Sequence, residues 1–191
     1  MGSLPSTGYS LHAGPAGRPA RLSNRPSGLL LRASALFTGL MAGLFFAFDI
    51  SVMPGLARLD DVAYAEAMQH FNAVIDGSPL FRSAFLAAPA CTLAAAVRAH
   101  RGGCRPLVLP LVLAGLCYLA MVVLTVTVNL PLNDELAALG DPAAASDLSV
   151  VERFRTVWGP VNVARTVLCV ISLGTLCSVL IRHGRLSVPG Q

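Results

Sequence analysis

Lysine is absent from this chain of 191 residues: all 14 basic residues are arginine. Charge of either sign is scarce, at 13% of residues against about 25% in an ordinary soluble domain. So low a share excludes a fully solvated surface, and the mean hydropathy of +0.66 points to a membrane composition. The net charge of +4 is no nucleic-acid footprint. The five cysteines include no CxxC pair, and none falls in a long loop, which excludes a disulfide framework. Cys91, Cys117, Cys169 and Cys177 read as small apolar filler on packed helices, and Cys104 sits in a short loop. No phosphate-binding glycine loop, dinucleotide fingerprint or nucleophile elbow is present.

What is present is apolar length. A helix needs roughly 20 apolar residues to cross a bilayer. Four segments qualify, at about 29–53, 80–98, 107–130 and 160–182. The second is Ala-rich and carries Arg82 near its start. The expected fold is all-α, a bundle of four transmembrane helices within a membrane domain at 29–183. Residues 1–28 are rich in Pro, Gly, Ser and Arg and read as a disordered tail; 184–191 form a second tail. The first apolar run starts too late and is too long for a cleavable signal peptide, so it reads as a retained anchor.

Arginine placement sets the expected topology. Arg18, Arg21, Arg25 and Arg32 flank the first span, Arg98, Arg101 and Arg105 join the second to the third, and Arg182 and Arg185 follow the fourth. Positive residues favour the cytoplasmic side. Both termini are therefore expected in the cytoplasm, with the protein multi-pass in the plasma (inner) membrane. Nine of the ten acids fall in the two outer loops, and Asp49 alone lies within a span. His12, His100 and His183 are then cytoplasmic and His70 is outside, so no histidine cluster can assemble a metal or haem site. A cofactor-free site is what remains.

The loops carry structure of their own. Asp60 to Asp76 reads as an amphipathic helix capped by Asp60 or Asp61, with a stripe of Tyr64, Met68, Phe71 and Ile75 that covers the bundle mouth. Asp147 to Trp158 reads as a second short helix that Gly159-Pro160 breaks. Small residues recur every four positions at Ala35, Gly39, Gly43 and Ala47, and at Ala84, Ala88, Thr92 and Ala96. They suit close helix packing in lipid, and Gly39-xxx-Gly43 also suits a homo-oligomer.

Polar residues converge on the outer end. Asn129 and Asn133 share a helical face if the helix persists through Pro131. Trp158, Asn162 and Arg165 share another, with Arg165 about one turn inside the membrane, where a charge usually faces the interior and a partner. Asp49 is the expected partner of Arg165 or Arg82, or else a proton acceptor. On the loop helix, Gln69 and Asn72 flank His70. The residues permit two readings: a chemical site, or polar ties in a non-enzymatic bundle that binds a lipid, a small hydrophobic ligand or a partner protein. Four spans leave little room for alternating access, which argues against a transporter.

Val52-Met53-Pro54-Gly55-Leu56, Met68-Gln69-x-x-Asn72, Asn129-x-Pro131-Leu132-Asn133 and Trp158-x-x-x-Asn162-x-x-Arg165-Thr166 occur in that order. Together they resemble the anthrone oxygenase-like family of small four-helix membrane proteins, over about residues 30 to 182. The resemblance implies oxidation of an anthrone-type aromatic polyketide to a quinone by dioxygen, without metal or flavin, on a hydrophobic substrate drawn from membrane lipid. The matching positions are Gln69, Asn72, Asn129, Asn133, Trp158, Asn162 and Arg165. The family commonly has Trp and His where this chain has Val161 and Val163. In that chemistry Arg165, Asn129 and Asn133 would stabilise developing charge and Asp49 or His70 would act as base. Trp158, Asn162, Gln69 and Asn72 would hold the ring system.

Overall fold

The computed structural model describes residues 28–187. The expected tails, 1–28 and 184–191, fall largely outside that range. The first helix starts at Gly28 and the last runs on to residue 187.

Four helices are long and apolar enough to cross a membrane: α1 (Gly28–Leu56), α3 (Pro79–Arg101), α4 (Arg105–Ala138) and α5 (Ser149–Arg185). A fifth helix, α2 (Asp61–Gly77), links α1 to α3. Among the described residues there is no strand. The chain is therefore an all-α, multi-pass membrane protein. Each long helix packs on its sequence neighbours and α1 closes on α5, an up-down-up-down bundle. The outward faces are apolar, as lipid requires; Leu36, Leu93, Leu109 and Val170 are all exposed.

Local chemistry starts and stops these helices. The Asp60 carboxylate caps α2 by accepting from the Ala63 N–H at 2.9 Å. Ser78 ends α2 and caps α3 through the Phe81 N–H at 3.2 Å, with Pro79 at the first helical position. Asp147 accepts from the Ser149 N–H at 2.8 Å at the start of α5, and these bonds to Ser149 hold its carboxyl below the usual carboxylate range.

The small residues of α3 do form a seam, with Ala84, Ala88 and Thr92 buried and Ser34 of α1 hydrogen-bonded to Thr92. Those of α1 do not form a continuous one: Gly39 meets Leu173, but Gly43 and Ala47 are exposed. Pro89 lies inside α3 and cannot donate to the Phe85 carbonyl four residues before it. The Tyr118 hydroxyl on α4 donates to that carbonyl instead, at 2.9 Å.

Three of the spans share one device. In α1, α4 and α5 the helix widens into a π-helical turn, at Phe48–Val52, Thr125–Asn129 and Phe154–Trp158. Each ends at the residue before an X-Pro step: Met53-Pro54, Leu130-Pro131 and Gly159-Pro160. The residue preceding each proline donates five residues back, to the Phe48, Thr125 and Phe154 carbonyls. A proline ring clashes with the carbonyl four residues before it, and a wider turn relieves that clash. No such turn precedes Pro89 in α3 or Pro110 near the start of α4, so proline alone does not impose it. Helix α5 is thus not broken at Gly159-Pro160 as expected; the short second helix runs into the last span through its widened turn.

Helix α2 lies across the end of the bundle that carries these turns. Tyr64, Ala65 and Met68 bury against Leu132, Leu136, Val151 and Phe154. Arg155 fastens it, paired to Asp61 at 2.7 Å and stacked 4.9 Å from the Tyr64 ring centre. We call this end of the bundle the lid end.

Candidate functional site

A cavity of about 150 Å³ opens at the lid end between α1, α2, α3, α4 and α5. Its apolar wall includes Leu44, Phe45 and Phe48 of α1, Phe81 and Phe85 of α3, and Ile75 of α2. Its polar wall is Asn72, Asp76, Thr125, Asn129, Asn133, Trp158, Asn162 and Arg165. The widened turns position this set. An extra residue in a turn rotates whatever follows by about 100° relative to an unbroken α-helix. Thr125 and Asn129 are the first and last residues of the turn in α4, and Trp158 is the last of the turn in α5. Asn162 and Arg165 follow one and two turns further along.

Six of the residues singled out in the sequence line this cavity: Asn72, Asn129, Asn133, Trp158, Asn162 and Arg165. Three do not. His70 is exposed on α2, its ring nitrogen 2.7 Å from the Glu66 carbonyl. Gln69 donates to the Leu136 and Gly140 carbonyls at 2.8 and 3.2 Å, so it ties the lid to the end of α4. Asp49 sits behind the wall. Its two carboxylate oxygens accept from Asn162 Nδ2 at 2.6 Å and from the Thr166 hydroxyl at 2.5 Å. Neither Arg165 nor Arg82 pairs with it directly among the described residues. Neutral donors take the direct contacts with Asp49, which orient Asn162, and Asp49 acts on Arg165 as a nearby charge without a salt bridge.

The polar wall is poorly satisfied, and that is its most unusual property. Asn129 is 1% exposed, and neither its amide nitrogen nor its amide oxygen has a partner. Asn162 donates to Asp49 and to the Phe45 carbonyl, but its own Oδ1 is free, as is Asn72 Nδ2. Arg165 is 5% exposed, and its Nε has no acceptor. Its guanidinium carbon lies 3.9 Å from the Phe45 ring centre, a cation–π contact. Each such buried group costs on the order of 1–3 kcal/mol, and more for a charge. Trp158 is the exception. It is buried rather than an interfacial anchor, stacked on Phe154 at 5.6 Å, and its indole N–H donates to Asn133 Oδ1 at 2.9 Å.

Asp76 was not anticipated as a cavity residue. It lines the cavity one turn after Asn72 while remaining largely exposed to solvent. Burial, and then the neighbouring charge of Asp134, push its pKa above the ordinary aspartate value. The i, i+4 spacing to Asn72 on an amphipathic helix is the signal that could have placed it.

Val163 bears on the family pattern. It is 49% exposed and not on the cavity wall. A histidine at this position would face away from the polar set, so the valine removes no group from the site. Among the described residues no three His, Cys, Asp or Glu side chains gather as a metal-ligand set.

Fold and site together define a class: a four-helix membrane protein with a small, polar-lined cavity under a helical lid. Residues 77–175, just over half of the chain, match the protein-family description "Anthrone oxygenase". The chain belongs to the anthrone oxygenase family. The match spans α3, α4 and most of α5, with Asn129, Asn133, Trp158, Asn162 and Arg165; α1 and α2 lie outside it. No curated protein and no solved structure matches the chain.

Proposed function

We propose that this protein oxidises an anthrone-type aromatic ketone, dissolved in the membrane, to the corresponding quinone with dioxygen. One observation carries the reading: a buried guanidinium, Arg165, with no salt bridge among the described residues and an unbonded Nε, beside amides that keep unpartnered hydrogen-bonding atoms. Such a wall is costly when empty and complementary to an oxyanion when filled.

An anthrone has an acidic methylene, because loss of its proton gives a delocalised phenolate. Arg165 would hold that oxygen, with Asn129 and Asn162 completing the donor and acceptor set. The carbanion form donates electrons to dioxygen directly, and a carbon–oxygen bond forms to give a peroxide. Loss of the second methylene proton, with cleavage of the O–O bond, yields the quinone carbonyl and one water. One ketone and one dioxygen thus give one quinone and one water. The bilayer concentrates both the ketone and dioxygen. The arginine distribution favours a lid end on the outer face.

A cavity of about 150 Å³ holds roughly one benzene ring. A neighbouring apolar hollow of about 290 Å³, on the lipid side of α1 and α3, shares Leu44, Ile75 and Phe81 with it. A three-ring ketone would therefore set its oxygenated end on the polar wall and its far ring in the hollow.

The test is to reconstitute the protein in liposomes, supply anthrone and isotopically labelled dioxygen, and follow the quinone. The reading expects faster quinone formation than in empty liposomes, with label in the new carbonyl. Equal rates would remove it.

A further inference from the structure

The oxygenase reading needs a base, and Asp49 is poorly placed to be one. It lies behind the cavity wall, and both of its oxygens already accept hydrogen bonds from Asn162 and Thr166. Among the described residues a single carboxylate lines the cavity, and it is Asp76. It stands in the last turn of α2, on the face that carries Asn72, and borders the same cavity as Asn129 and Arg165. The C-terminal end of a helix is the negative end of its dipole, which favours the protonated form of a carboxyl there.

Charges of both signs surround α2. The elements packed on α2 carry Arg82 on α3, Asp134 and Glu135 on α4, Asp141 in the link, and Glu152, Arg153 and Arg155 on α5. Helix α2 itself adds Asp61, Glu66, His70 and Tyr64. Glu135 is paired with Arg153 at 2.5 Å, and Asp61 with Arg155 at 2.7 Å. Partial desolvation at the cavity, and then the charge of Asp134, raise the proton affinity of Asp76.

We propose that Asp76 is the catalytic base of the site. The role rests on the oxygenase reading. Asp76 takes the first methylene proton, and the C–H electron pair passes into the ring system to form the oxyanion held by Arg165. After dioxygen adds, the Asp76 carboxyl returns its proton to the peroxide. It then takes the second methylene proton as the carbonyl forms and the O–O bond breaks. The departing hydroxide recovers that proton and leaves as water, and the carboxylate is restored.

The experiment is the pH profile of kcat/KM for anthrone in proteoliposomes, corrected for the rate in empty liposomes. A protonated carboxyl cannot accept a proton, so the wild-type rate falls as pH drops through the raised pKa of Asp76. Asp76→Asn should lose about 10²- to 10⁴-fold and show no such limb. Asp76→Glu should recover part of the rate. Asp134→Asn should move the limb to lower pH, and Asp147→Asn, an exposed acid away from the cavity, should leave it in place. Wild-type rate and limb in folded Asp76→Asn overturn the proposal; an unmoved limb in Asp134→Asn overturns the effect of that charge on Asp76. A wild-type protein without turnover defeats the oxygenase reading itself, which is a different result from either.

Discussion

Arg165 stands over the Phe45 ring with its Nε unbonded, and Asn129 buries an amide that bonds to nothing. Side chains kept for stability are seldom left so. Removing them should therefore leave the fold intact or strengthen it. Asn129→Leu and Arg165→Met should hold or raise the thermal midpoint in detergent, because each deletes an uncompensated desolvation cost. A clear drop in midpoint for both would mean that these side chains tie the helices together. Tyr118 predicts the opposite. Its hydroxyl is the donor that reaches the carbonyl stranded by Pro89, so Tyr118→Phe should cost about 1–3 kcal/mol, read as a lower midpoint. Most of this cavity wall was legible in the sequence, because helical spacing alone puts Trp158, Asn162 and Arg165 on one face. Asp49 misled for a physical reason: an acid inside a span suggests an ion pair or a proton carrier, whereas here Asn162 and Thr166 satisfy it without a full charge. Asp76 escaped notice because charge in a loop normally means solvent.

At the scale of elements, the three widened turns are the feature that periodicity could not supply. A template of 3.6 residues per turn has no place for an extra residue, and Pro54, Pro131 and Pro160 read separately as a helix end, a disturbed turn and a helix start. Their shared spacing becomes visible only when all three turns lie at the same end of the bundle. The turns also explain why α4 and α5 run through prolines that suggested breaks. A proline in a helix interior costs about 3 kcal/mol, so its presence beside the site points to a geometric purpose. Pro131→Ala restores a backbone donor and lets the turn rewind. It should raise the thermal midpoint while lowering turnover, since rewinding rotates the segment that carries Asn129 and Asn133 relative to Thr125 and the helix before it. Higher midpoint with unchanged turnover would show that the widened turn does not position the site.

The described residues place apolar faces toward lipid and gather most of their unsatisfied buried polar groups in one cavity beneath α2. The spans and the bundle followed from composition and apolar length, because bilayer thickness and backbone hydrogen bonding leave a chain this apolar few alternatives. The lid followed from its amphipathic stripe, and Asp60 caps it as expected. The lateral hollow beside the cavity was not legible, since it depends on how α1, α3 and the end of α2 splay apart. Family membership, the cavity and its buried cation support the proposal that Arg165 stabilises an oxyanion formed from a membrane-dissolved ketone. The most direct measurement is the rate of anthrone oxidation by Arg165→Met relative to wild type, at equal amounts of folded protein in liposomes. Loss of one oxyanion donor predicts a fall of about 10²- to 10³-fold with the fold retained. Equal rates in the two proteins would contradict the account.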